Sequence, residues 1–377
     1  MPPLTSRPAA RLFVLLTTLA VFAAACGSTD DVDATGAAPP TATTVPTTVA
    51  DTQASNEPTN TEPSAPDSAV PSVNEASEPA AGESATNDTE GSPAATEESS
   101  YPVTIAADNG EVTIDQQPQR IVSLSPTATE MLFAIGAGDQ VVAVDEYSNY
   151  PAEAPTTDLS GFQPNVEAIL AEEPGLVVAA SDPGDLVTGL DAAGVPVLIY
   201  DAATDLDDSY AQIEQLGAAT GHLGDAAEVV GQMQTDIDAL VSELPTLKRP
   251  LTYYHELDPS LFSVTGDTFI GEVYSLLGLE SVADAAEDAG GYPQLNAEFV
   301  AESDPDFVFL ADTLCCEVDA EEFASRPGFE GLAAVQRDAV VGLDDDVASR
   351  WGPRIVEFIE VVADAVTENM PEGASTQ

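Results

Sequence analysis

One short pattern occurs twice in this chain, and the repeat limits its fold more than any other feature. Asn165-Val166-Glu167-Ala168-Ile169 runs on to Glu173-Pro174-Gly175-Leu176-Val177-Val178. It returns as Asn296-Ala297-Glu298-Phe299-Val300, running on to Asp304-Pro305-Asp306-Phe307-Val308-Phe309, at an offset of 131 residues throughout. An aromatic residue, Phe162 or Tyr292, lies just upstream of each copy. Each copy reads as a capped helix start, a short helix, a proline stop and an apolar strand. Asn accepts a backbone N–H at the N-cap, and a first-turn carboxylate suits the positive end of the helix. Two such units this far apart predict two similar lobes, each presenting one glutamate at the same place. Any α/β domain that strings helix, proline and strand together would also carry the pattern.

The segments around the repeats support an α/β chain. Val103–Ile105 and Glu111–Ile114 flank Asp108-Asn109-Gly110, a hairpin turn signal. Arg120-Ile121-Val122-Ser123-Leu124 reads as a buried strand, and Ser125-Pro126-Thr127 opens a helix after it. Val141–Val144 and Val195–Tyr200 are further apolar strands, with a helix carrying Leu186, Leu190 and Ala193 between them. Strand, helix and strand in this rhythm predict parallel sheets covered by helices. Ala226, Val229, Val230, Met233, Ile237, Leu240, Val241 and Leu244 then recur at helical spacing until Pro245. Nineteen residues of helix span roughly 28 Å, and their place between the repeats makes them the bridge from lobe to lobe. The second lobe is predicted to hold strands at Leu251–Tyr254 and Val340–Leu343, a helix near Phe269–Leu277, and a closing amphipathic helix through Ile355, Phe358, Ile359, Val362 and Val366.

The first hundred residues are of another kind. Arg7 and Arg11 precede an apolar run, Leu12–Ala25, that is too short to span a bilayer and has the form of a secretion signal. It ends Ala23-Ala24-Ala25-Cys26-Gly27, which resembles a bacterial lipobox, with Cys26 as the residue that would carry lipid. Residues 27–100 hold no Lys, Arg or large aromatic residue and read as a disordered acidic Ser/Thr/Pro linker. The expected layout is a signal over 1–26, a linker over 27–100, a first lobe over 101–222, a connecting helix over 223–248, a second lobe over 249–370 and a tail over 371–377.

From residue 101 onward the chain carries 52 acidic residues against seven Lys plus Arg. Nucleic acid is therefore a poor partner on electrostatic grounds. Enzyme signals are weak: there is no Gly-x-Ser-x-Gly elbow, no Walker-type loop, and only His222 and His255 among histidines. A secreted hydrolase using two acids is the rival reading, with Glu167 and Glu298 as the only pair singled out. Cys315 and Cys316 are adjacent in an oxidising compartment and are candidates for a vicinal disulfide. Arg350-Trp351-Gly352-Pro353-Arg354 combines two scarce cations with the only tryptophan. Arginine forks onto oxyanions and tryptophan offers a stacking face, so the cluster is a candidate ligand contact.

With these residues placed, the chain from about 103 to 369 resembles the iron–siderophore and cobalamin class of substrate-binding proteins that feed ABC importers. The resemblance is carried by Arg120-Ile121-Val122-Ser123-Leu124-Ser125-Pro126-Thr127-Ala128-Thr129-Glu130, by Tyr147-Ser148-Asn149-Tyr150-Pro151, by the Asn-x-Glu repeats and by Ser349-Arg350-Trp351-Gly352-Pro353-Arg354. It implies the class III architecture of two α/β lobes with central parallel sheets, joined by one long rigid helix. It also implies a monomeric, non-catalytic receptor, lipid-anchored outside the cytoplasm, that captures a ferric siderophore or a cobalamin-like corrinoid between its lobes. A haem receptor is the alternative within the family. By position, Glu167 and Glu298 fall on the family's two docking glutamates, which meet an ABC permease dimer with its ATPase. Ser125, Thr127, Tyr147 and Phe162 are expected to line the cleft from one lobe, and His255, Tyr292, Arg350, Trp351 and Arg354 from the other. No resident cofactor or metal is expected.

Overall fold

The computed structural model describes residues 101–287 and 290–376. The signal, Cys26 and the linker expected over 27–100 lie outside these residues. A hairpin comes first, β1 (Val103–Ala107) and β2 (Gly110–Ile114), antiparallel with Val103 opposite Ile114. Its Asp108-Asn109-Gly110 turn covers a sheet edge. The Asn109 amide donates to the Val197 carbonyl at 3.0 Å and accepts the Ile199 N–H at 3.1 Å. An edge strand covered in this way is closed to further pairing.

The first lobe runs β3 (Ile121–Leu124), α1 (Pro126–Ala134), β4 (Val141–Val144), α2 (Val166–Ala171), β5 (Leu176–Ala179), α3 (Leu186–Asp191), β6 (Val197–Ile199) and α4 (Leu206–Thr220). Its four parallel strands lie in the order β4-β3-β5-β6. All four side chains of β3 and of β5 are buried, as expected when helices cover both faces of a sheet. After the connecting helix α5 (Leu223–Glu243) comes the second lobe: β7 (Leu251–Glu256), α6 (Phe269–Leu276), β8 (Leu279–Ser281), α7 (Ala297–Ser303), β9 (Phe307–Leu310), α8 (Ala320–Ser325), α9 (Ala333–Gln336), β10 (Val340–Gly342), α10 (Asp345–Ser349) and α11 (Ile355–Asn369). The second sheet is also parallel, in the order β8-β7-β9-β10. The two sheets therefore share one strand order, with β5 and β9 in the same place.

The long helix α5 packs against α4 of the first lobe and α11 of the second. It buries Ala226, Val230, Met233 and Ile237 along one stripe. Two glycines set the α4–α5 corner. Gly221 ends α4 in the left-handed region at φ 85°, which costs glycine least. At Gly217 a Cβ would stand 2.4 Å from the Ala226 Cβ, so the close approach of the two helices needs glycine there. The sequence reading placed α5 but missed α4, whose buried face (Tyr210, Ile213, Leu216) hides behind the acids Asp205, Asp207 and Asp208. No helix of the described residues is long and apolar enough to cross a membrane.

Candidate ligand cleft and docking glutamates

Ligands of parallel α/β sheets sit outside the carboxyl ends of the strands, and here the two sheets treat those ends differently. On the first lobe, Ser125 follows β3 and caps α1, its Oγ accepting the Ala128 N–H at 3.3 Å. Next to it lies a cavity of about 570 Å³ lined by Ser125, Thr127, Asp145, Tyr147, Phe162, Ser181 and, from the second lobe, Asp346, Ser349, Arg350 and Trp351. Tyr147 and Phe162 meet edge to face, ring centroids 5.7 Å apart, and both are largely exposed. They form an apolar rim that is open on its outer side among the described residues. Six of the nine expected cleft residues share this cavity: Ser125, Thr127, Tyr147, Phe162, Arg350 and Trp351.

The other three do not. His255 is fully buried in the second lobe, where its Nδ1 pairs with the Tyr274 hydroxyl at 2.8 Å. Burial alone pushes its pKa down to about 3, so the ring is neutral and has no access to a ligand. It belongs to the core because β7 is covered on both faces. Arg354 lies outside the cavity; its guanidinium donates to both oxygens of Glu130, at 2.9 and 2.7 Å, and stacks 4.1 Å from the Tyr150 ring centroid. Tyr292 is exposed on the loop before α7 and lies apart from the cavity wall.

Arg350 lines the cavity but is already occupied. Its Nη1 donates to Glu130 at 2.7 Å and to the Asn149 side chain at 3.0 Å. Its Nη2 donates to Asp346 at 2.6 Å and to the Tyr147 carbonyl at 3.2 Å. Glu130 and Arg350 are 3% and 8% exposed, so this is a buried ion cluster that ties α1 of one lobe to the α10–α11 corner of the other. Two further bonds extend the tie. Trp351 donates from its indole N–H to the Gln212 side chain at 2.8 Å, and the Ser209 hydroxyl donates to the Trp351 carbonyl. Glu130 stood in a recognisable motif, but its partners are 220 and 224 residues away, and no local signal reveals a pairing at that distance. Asp145 is also buried at the cavity wall, and burial raises its pKa.

On the second lobe the carboxyl ends are plugged. Glu256, the last residue of β7, is fully buried and accepts Nη1 of Arg326 at 2.7 and 2.8 Å and the Tyr254 hydroxyl at 3.0 Å. Asp312, after β9, is equally buried, and among the described residues neither of its oxygens has a hydrogen-bond donor. Two carboxylates cannot bond to each other unless one holds a proton. Burial and the neighbouring Glu256 push Asp312 up to about 7, and burial raises Glu256 as well. The loop beyond carries Cys315 and Cys316, which are exposed and unbridged. The Asp345 carboxylate orders this loop, accepting the Leu314 N–H at 3.0 Å and the Cys315 N–H at 2.7 Å.

The repeated glutamates keep matching geometry. Asn165 caps α2 by accepting the Ala168 N–H at 3.1 Å, and Asn296 caps α7 by accepting the Phe299 N–H at 2.9 Å. Glu167 and Glu298 occupy the first turns, both exposed. Among the described residues neither makes an ion pair.

Comparison with known proteins agrees with this architecture. The family described as "Periplasmic binding protein" matches residues 121–347. The ABC transporter substrate-binding lipoprotein YvrC of Bacillus subtilis is 31% identical over 276 residues, covering 71% of this chain and 86% of that protein. A cobalamin-binding protein of Halobacterium salinarum is 32% identical over 277 residues, covering 71% and 74%. Among solved structures, the vitamin B12-binding protein of Vibrio cholerae aligns with a TM-score of 0.55 at 28% identity, covering 66% of this chain and 97% of its own. The haem-binding protein HutB of the same organism aligns at 0.59 and 22% identity, covering 66% and 98%, a likeness of fold alone. The chain belongs to that family, as a substrate-binding protein of the class that serves ABC importers.

Proposed function

We propose that the protein captures a metal chelate, a cobalamin-like corrinoid in the first place and a ferric siderophore in the second, between its lobes and hands it to an ABC permease. The observation that carries this reading is the cavity of about 570 Å³, with its exposed Tyr147–Phe162 rim. Flat aromatic surface with no partner of its own suits a broad, largely apolar ligand face. Relatives named as cobalamin- or vitamin B12-binding, at 31–32% identity, support the corrinoid. The haem reading loses the one histidine that would have served iron, since His255 lies in the core. Cys26 would carry the lipid that holds the receptor at the membrane, with residues 27–100 as its tether. Glu167 and Glu298 would dock it on the two permease subunits.

The test is a titration of the purified protein with cyanocobalamin, followed by Trp351 fluorescence and by calorimetry. Saturable binding is expected, with Phe162→Ala weakening it by about tenfold, the range of one lost aromatic contact. Absence of binding for cyanocobalamin and for ferric hydroxamates in both measurements would remove the chelate assignment.

A further inference from the structure

We infer that Glu130 sets the charge preference of the cleft: it keeps the guanidiniums of Arg350 and Arg354 paired and so unavailable to the ligand, and the site takes uncharged or cationic chelates and rejects anionic ones. The inference rests on the chelate reading above and specifies the ligand class. Its basis is where the seven cations of residues 101–377 lie and what each one meets. Arg120, Lys248, Arg249 and Arg337 lie within three residues of the starts of β3, β7 or β10. They therefore sit at the amino ends of the sheets, away from the cleft. Arg249 and Arg337 are also paired there with Asp306, at 2.7 and 3.9 Å. At the carboxyl ends stand Arg326, held by Glu256 and Glu322, and the pair Arg350 and Arg354. Both members of that pair converge on Oε1 of Glu130 at 2.7 Å, and Asp346 takes the outer face of Arg350 at 2.6 Å. Two guanidiniums against two carboxylates leave the cluster neutral. The charged side chain that faces the cavity beyond it is Asp145.

A bound anion needs a partner to offset its desolvation, and among the described residues no arginine at the cleft is free to supply one. The acidic surroundings add long-range repulsion of an incoming anion. A neutral corrinoid or a neutral ferric hydroxamate meets neither cost. Glu130 acts here through Arg350 and not by touching ligand, so it is a specificity-determining residue of the positioning kind. This also explains why an arginine that lines the cavity does not make the site an oxyanion clamp.

The experiment measures affinities of the purified protein for cyanocobalamin, for a neutral ferric trihydroxamate and for a trianionic ferric tris-catecholate, by calorimetry. The wild-type protein is expected to bind the trianionic probe at least about tenfold more weakly than the better neutral one. Glu130→Gln keeps the side-chain volume and removes one negative charge, leaving Arg350 partly uncompensated; the ratio of anionic to neutral affinity is then expected to rise by about tenfold. Asp346→Asn, a milder change at the cavity wall, should move the ratio the same way if Glu130→Gln does not fold. A residue that only holds the lobes together would weaken all probes alike and leave the ratio fixed, which would overturn the assignment to Glu130. Equal wild-type affinity for anionic and neutral probes would overturn the charge preference itself while leaving the chelate reading standing. Failure of every probe to bind would remove both.

Discussion

The two lobes share a strand order and a residue offset, yet their strand ends do opposite things. At an offset of 131, Ser125 corresponds to Glu256 and Ser181 to Asp312. In the first lobe these positions are small, neutral and beside an open cavity. In the second they are acids, buried completely, with Arg326 as their counter-charge. The α2 and α7 ends kept their likeness: Asn caps, exposed glutamates, and a left-handed residue before each proline, Glu173 at φ 50° and Asp304 at φ 42°. A partner with twofold symmetry needs matched charges at matched places. A ligand without that symmetry needs two different walls. On the proposed docking and capture roles, the likeness of one end of each unit and the difference at the other would serve both needs.

The largest effect expected from this contrast is at Arg326. Replacing it by Met leaves Glu256 buried beside Asp312 without a cation, and loss of one partner of a buried pair costs about 3–5 kcal/mol. The equivalent polar loss in the first lobe, Ser125→Ala, removes only a helix cap worth about 1 kcal/mol. Denaturant melts of both variants decide the matter, and equal losses would mean that the ion cluster of the second lobe is no more than surface pairing.

Asp312 gives the contrast a pH dependence. Its carboxyl, about 3.8 when unfolded, is raised to about 7 in the fold, so the folded protein holds a proton that the unfolded chain has released. Stability from this group is full below about pH 4 and is lost as pH rises towards about 7. Asp312→Asn should flatten that slope, seen as the difference between variant and wild-type melts across the window. Ser181, its counterpart, has no such group, and Ser181→Ala should leave the slope alone. An unchanged slope in Asp312→Asn would mean the proton is held elsewhere.

If docking uses the matched ends, Glu167→Ala and Glu298→Ala should each reduce uptake by at least about tenfold while leaving calorimetric affinity for the chelate unchanged. Loss of affinity in the purified protein would place these residues at the ligand instead. Effects on uptake that differ strongly between the two would break the symmetry of the docking surface.

Much of the fold was legible because the sheets are buried on both faces and their strands read as continuous apolar runs. The site was harder to read. Scarcity of cations made Arg350 and Arg354 look available for a ligand, whereas among the described residues each arginine has a carboxylate close by in space. The run Tyr253-Tyr254-His255-Glu256 gives no period from which to tell cavity from core, so His255 was placed on the wrong side. Ser125, Thr127, Tyr147 and Phe162, which the family resemblance put at the cleft, do line one cavity. Glu130 and Gln212 act only through the other lobe, and a sequence shows no such contact until the chain is folded.

The smallest expected effect tests how alike the two matched ends are. Asn165 and Asn296 make the same bond to the third helical residue, at 3.1 and 2.9 Å, on helices that bury Ile169 and Val300 at equivalent positions. Each Asn→Ala change should cost about 1 kcal/mol. The residues belong to separate lobes and share no partner, so the double variant should lose the sum. Uptake should fall by less than after loss of either glutamate, because the cap only orders the turn that presents the charge. Unequal costs would mean that one helix end is held by its surroundings and not by its cap. In that case the likeness of the two units would be one of charge placement alone.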